Sequence, residues 1–182
     1  GKISGEKMII PWDGKIRIFS KGDTAVAWNK DLTMEEAFKA SAVPYYQEVA
    51  RRIGAPVMQH WLDTMGYGSK YNKPVITAKN IDTFWLNNDV KVSGDEQLGL
   101  VKKLYFDQLP FRKETTQDIV KKVMLQEDNA NYKLSYKTGL GYRENGNAIG
   151  WVIGWIEENR HPYFFALNVE GSPETDMKSI RM

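Results

Sequence analysis

The spacing of apolar residues changes period once along this chain. Between residues 33 and 126 they recur at the three-to-four interval of a helix that buries one face, and from residue 132 they alternate as a strand requires. Two capping boxes punctuate the helical part: Thr33 with Glu36 in "TMEE", and Ser93 with Glu96 in "SGDE". In each, the hydroxyl and the carboxylate reciprocally satisfy orphan amides, so each predicts a helix start. The first helix covers "TMEEAFKA". The second, "PYYQEVARRIG", has Pro44 in its first turn and stops at Gly54, and the third, "PVMQHWLDTMG", repeats that punctuation with Pro56 and Gly66.

Residues 66 to 91 break the pattern with a stretch rich in Gly, Asn, Lys and Asp, and irregular segments of that length in compact domains are often functional. From Ser93 the period returns, with Leu98, Val101, Leu104 and Tyr105 on one helical face. A last amphipathic helix, "KETTQDIVKKVMLQ", follows Pro110. Then "YKLSYKTG", "NAIGWVIGWIEE" and "PYFFALNVEG" read as three consecutive antiparallel strands, the last two joined by the turn "ENRHP". In the middle strand Ala148, Gly150, Val152 and Gly154 point one way, and Ile149, Trp151, Ile153 and Trp155 the other. The small-residue face is expected to take a helix closely, which makes the fold class α+β: an antiparallel β-sheet flanked by helices.

Composition narrows the partners. At 182 residues the chain fits a single domain, residues 1–182, with 42% hydrophobic and 26% charged residues, as in an ordinary folded protein. The net charge of +2, from 25 basic and 23 acidic residues mixed along the chain, carries no footprint for nucleic acid. No apolar run approaches the ~18 residues of a membrane span. With no cysteine and only His60 and His161 as imidazoles, in separate segments, neither thiol chemistry nor a metal site is expected.

Candidate chemistry begins with Lys137-Thr138-Gly139, where an aromatic strand sets a cation and a hydroxyl beside a residue without a side chain. Taken alone, this triplet reads as a solvated strand end, and Ser41-Ala42-Val43 reads as an interhelical turn with Ser41 as a local hydrogen-bonding residue. Their order along the chain says more. Ser-Ala-Val is followed by Tyr67-Gly68, by Phe84-Trp85-Leu86, by the capped helix, by Lys-Thr-Gly and by a Gly-Trp-rich strand. With "WDGK" at 12–15, "WNKDLT" at 28–33, "SAVPYYQEVARRIG" at 41–54 and "GWVIGWIEE" at 150–158, this resembles the class D serine β-lactamases, or oxacillinases, and their sensor-domain relatives over nearly the whole chain.

That resemblance implies a β-lactamase/transpeptidase-like fold and β-lactam small molecules as partners. Lys137 would supply a cation and Thr138 a hydroxyl to the substrate carboxylate, Gly139 would let the ligand lie against the strand, and Leu140 would give a backbone oxyanion donor. Ser41 would relay a proton to the leaving nitrogen, Val43 would wall the pocket, and Trp85 would hold a carboxylated lysine, the family's general base in place of a cofactor. The family's nucleophile belongs to a Ser-x-x-Lys motif opening a buried helix. The one match here is Ser4-Gly5-Glu6-Lys7, where Gly5 and Glu6 replace hydrophobic residues and Pro11 cuts off any helix.

The expectation is therefore a domain incomplete at both ends, with the nucleophile and base lysine on a missing N-terminal segment of the same protein. Without it, the apolar surface left open at ~1.5–3 kcal/mol per large side chain is expected to compromise folding. Towards the far end, Met177 stands where many relatives place a carboxylate-binding arginine, with Lys178 or Arg181 as candidate substitutes, and the family's Tyr-Gly-Asn reads Tyr67-Gly68-Ser69. The resemblance implies a periplasmic or extracytoplasmic hydrolase conferring antibiotic resistance. A sensor that holds its acyl group, and a catalytically inactive fragment, remain the alternatives.

Overall fold

Both capping boxes form. Thr33 and Ser93 accept from the amides of Glu36 and Glu96, whose carboxylates take the cap amides in return, and so open α1 (Met34–Lys39) and the 12-residue helix Gly94–Tyr105. The computed structural model describes residues 5–20, 23–24, 26–87 and 89–171. Ahead of α1, β1 (Ile18–Ser20) and β2 (Asp23–Thr24) pair as a short antiparallel ribbon. Behind it come α2 (Val43–Ile53), ending at Gly54, and α3 (Ala55–Met65), ending on left-handed Gly66. The helix opened by Ser93 is α4, and α5 spans Asp118–Met124.

Among the described residues the sheet has four strands rather than three, in the order β3 (Leu125–Asp128), β4 (Tyr132–Tyr142), β5 (Ala148–Glu158) and β6 (His161–Gly171). The turn between β5 and β6 has both central residues, Asn159 (φ 51°) and Arg160 (φ 66°), left-handed, which matches the twist of the strands it joins. The expected helix over "KETTQDIVKKVMLQ" is corrected at both ends. It opens as a π-helical turn, Lys113–Gln117, in which the buried Gln117 amide donates to the carbonyls of Leu109 and Phe111 and accepts from the amide of Leu109. It closes at Met124, because residues 125–128 gain ladder bonds to β4 once the Asn129 side chain, accepting from the amides of Asn131 and Tyr132, turns the chain back.

The two faces of the sheet differ in what they pack against. Among the described residues the bulky face takes the helices: Trp155 and Ile153 pack with Val101 and Leu104 of α4 and Met124 of α5. Each such side chain contributes about 1.5–3 kcal/mol when fully buried. Tyr105 of α4 donates to Glu157 of β5; burial and that carboxylate push its phenol up to about 12. Gly154, on the other face, is demanded by the neighbouring strand: a Cβ there would lie 2.1 Å from the Ser135 carbonyl oxygen and 2.8 Å from Tyr136 Cα. Gly154→Ala is therefore expected to cost at least ~3 kcal/mol and lower the melting midpoint by roughly 6–12 °C. Thermal unfolding checks this, and an unmoved midpoint would show that β4 and β5 yield at that point.

Candidate functional site

The junction between α1 and α2 is built from small buried residues. Ala37 and Ala42 are both inaccessible, and the Ala42 amide donates to the Ala37 carbonyl at 2.8 Å, which tightens the chain into a turn. Ser41 sits at its apex with φ 49°, a left-handed conformation that side-chain-bearing residues seldom adopt outside turns and functional sites. Trp28 fixes the turn from outside, its indole N–H donating to the Ala40 carbonyl at 2.9 Å. Val43 opens α2 two residues further on, half-buried.

Lys137 reaches this turn from β4. Its ammonium donates to Ser41 Oγ and, at 3.0 Å, to the Thr138 carbonyl, and it lies 5.5 Å from the centre of the Phe38 ring. An ammonium group has no acceptor, so Ser41 must be the acceptor of their shared bond. The hydroxyl proton of Ser41 is thereby left to donate elsewhere.

The register of the sheet decides what else faces this point. Arg143 donates to the Asn147 carbonyl at the β4–β5 turn, so that pair is hydrogen-bonded, and the pairs alternate from there along the uninterrupted register. Gly141, Gly139 and Lys137 consequently bond to β5, while the N–H and C=O of Leu140 and Thr138 point away from it. The β3 ladder ends at Leu125–Ser135, with the Gln126 amide reaching the Tyr136 carbonyl, so beyond Tyr136 no strand among the described residues covers this margin. Thr138 alternates to the opposite face from Lys137, and the two side chains straddle the open margin. Gly139 is exposed, and an added Cβ would meet only Trp151 Cβ, at 3.6 Å. The fold itself therefore leaves room for a side chain at this position.

Residues 66–87 and 89–91 form the expected irregular stretch, pinned by polar contacts. The Gln59 side chain bonds the Ile76 amide and the Pro74 carbonyl, Gln97 donates to the Tyr67 hydroxyl at 2.8 Å, and burial raises the Tyr67 phenol above its ordinary value. Trp85 is 36% exposed and packs edge-to-face on buried Phe84, with ring centres 4.9 Å apart. The structure thus brings Ser41, Lys137 and the Thr138–Leu140 margin together, and shows Trp85 through its Phe84 contact. Sequence reasoning missed Phe38 and Trp28 as supports: Phe38 reads as an ordinary apolar helix position, and the indole bond of Trp28 has no sequence signature.

The Ser-x-x-Lys match fits no base lysine. Gly5–Lys7 lie in a turn, Lys7 is exposed, and Ser4, like Met177, Lys178 and Arg181, lies outside the described residues. Among the described residues no group of three or more His, Cys, Asp or Glu could hold a metal, and no helix is long and apolar enough to cross a membrane.

Comparison with known proteins places this architecture. Residues 1–181 match the model of the penicillin binding protein transpeptidase domain. The chain belongs to that family, on its class D β-lactamase branch. It is 37% identical over 181 residues to β-lactamase OXA-48 of Klebsiella pneumoniae, covering 100% of this chain and 63% of the relative. It is 38% identical over 161 residues to the probable β-lactamase YbxI of Bacillus subtilis, covering 88% of this chain and 55% of the relative. Among solved structures, the class D β-lactamase YbXI from Nostoc superposes with a TM-score of 0.85 at 34% identity, over 97% of this chain and 70% of that one. The chain therefore spans less than two thirds of the length of these curated relatives.

Proposed function

We propose that these residues form the substrate-receiving part of a site that hydrolyses β-lactams through an acyl-serine, and that the acylated serine lies outside the described residues. The Lys137–Ser41 contact at the open margin of β4 carries this reading. A β-lactam presents a carboxylate beside a strained amide. Its site needs a cation, an attacking hydroxyl, a proton route to the leaving nitrogen and donors for the tetrahedral oxyanion.

Lys137 is the cation and Thr138 the hydroxyl beside it, and the Leu140 N–H is one oxyanion donor. As the lactam C–N bond breaks, Ser41 gives its proton to the nitrogen and recovers the one taken from the attacking serine. Gly139 leaves the strand bare under the ligand, Val43 walls the pocket, and Trp85 serves the general base from its loop. Relatives named as β-lactamases support turnover over retention of the acyl group. The reading also places the protein outside the cytoplasm, which cell fractionation checks.

The test is nitrocefin hydrolysis by the intact protein, followed by mass spectrometry after brief exposure to penicillin. A short-lived penicilloyl adduct is expected on a serine outside the described residues. An adduct persisting for hours would point to a sensor, and an adduct on Ser41 would overturn the assignment of the relay. Loss of the cation gives a further expected result: Lys137→Ala should slow acylation roughly 10- to 150-fold, the worth of a charge-assisted hydrogen bond of about 1.5–3 kcal/mol. An unchanged acylation rate in stopped flow would remove that role from Lys137.

A further inference from the structure

We propose that Asp82 is a positioning residue that ties the loop carrying Trp85 to α2, the helix that begins beside Ser41, so that the two parts of the proposed β-lactam site keep one register. The inference rests on that functional reading, but its geometry stands by itself. Asp82 is held at two points by α2: the Gln47 side-chain amide donates to its backbone carbonyl at 3.0 Å, and the Arg51 guanidinium donates to its carboxylate at 2.6 Å. Gln47 and Arg51 stand four residues apart, hence on one face of the helix. Two anchors on one residue fix the direction of the chain as well as its place.

On either side of Asp82, Ile81 and Phe84 are buried in a cluster with Ala50 of α2 and Leu62 of α3. From there to Trp85 the chain has little freedom, because the amides of Phe84, Leu86 and Asn87 are all held in consecutive turns, donating to Asn80 and Thr83 at 2.7–3.1 Å. A shift of Asp82 on α2 is therefore passed to Trp85 across three residues. At its other end, α2 starts two residues after Ser41. One rigid helix thus sets both Ser41 and Trp85.

The ion pair is a poor candidate for holding the fold together. Its side chains are 47% and 27% exposed, Arg51 also bonds Glu48, and exposed pairs of this kind add little to stability. What the contact does specify is orientation, and in catalysis a small misplacement far from the reacting atoms is costly.

The experiment uses the intact protein labelled with 5-fluorotryptophan, the Trp85 fluorine resonance being assigned by its loss in Trp85→Phe. Asp82→Asn, Arg51→Gln and Gln47→Met are each expected to move or broaden that resonance and to lower kcat for nitrocefin roughly tenfold to a hundredfold, with KM within ~3-fold. The melting midpoint should stay within ~2 °C. The reversed pair, Asp82→Arg with Arg51→Asp, should recover most of the rate and the resonance. An unmoved Trp85 resonance with unchanged kcat in the single variants would overturn the proposal. So would a loss of activity accompanied by a fallen midpoint and shifts in every tryptophan resonance. If the unaltered protein does not turn over nitrocefin, the enzymatic reading fails, while the Trp85 resonance still decides the clamp.

Discussion

Replacing Ser41 with glycine in the intact protein is expected to slow nitrocefin hydrolysis roughly 10²–10⁴-fold, the usual worth of a positioned proton donor. The direction follows from the chemistry of the Lys137 contact. Because the ammonium can only donate, the Ser41 oxygen accepts that bond, and its own proton remains to be donated to another group. A lactam nitrogen expelled without a proton would be a poor leaving group. Glycine is the informative replacement because Ser41 sits at φ 49°, where it relaxes the backbone while removing the hydroxyl. Ser41→Ala removes the same hydroxyl but keeps a Cβ in the left-handed region, so a further drop in the melting midpoint of that variant alone would measure the strain. Pre-steady-state nitrocefin kinetics check the main effect: if Ser41→Gly turns over at the unaltered rate, Ser41 carries no proton.

What the sequence made legible, and what it hid, divides along physical lines. Signals that act within a few residues were readable: the capping boxes of Thr33 and Ser93, the stops at Gly54 and Gly66, and the turn at Asn159–Arg160 all form where local chemistry puts them. The order from Ser-Ala-Val to Lys-Thr-Gly was legible too, and it led to the family. Features settled by tertiary competition were not. Leu125 and Gln126 continue the helical period of "KETTQDIVKKVMLQ", yet they join the sheet, because the chain turns back at Asn129 and pairs residues 125–128 with β4.

The alternation along β5 revealed two unlike faces without saying which one meets α4, since that depends on the bulk arriving from Val101, Leu104 and Tyr105. The left-handed backbone of Ser41 likewise has no signature in "SAVP", because Ala37 and Ala42 impose it through a bond that exists only in the fold. The grip of Arg51 on Asp82 spans 31 positions and leaves no periodic trace.

Sheet register gives the other large expected effect. Leu140→Pro should lower kcat for nitrocefin by roughly 10²–10³-fold, as removal of one oxyanion donor does in acyl transfer. Proline within a strand ordinarily breaks a ladder. Here the pairing alternates from Arg143–Asn147, so the Leu140 amide points away from β5, and β3 has ended before it. The substitution therefore removes a donor that no strand among the described residues uses, which is the situation in which sheets tolerate proline. Leu140→Ala separates the amide from the side chain, since it keeps the former and is expected to lose far less. Far-ultraviolet circular dichroism should show the sheet intact in both variants. A proline variant that stays folded and hydrolyses nitrocefin at the unaltered rate would mean that the developing oxyanion is stabilised elsewhere, and the margin of β4 would then have to be read as a surface that binds substrate without taking part in the chemistry.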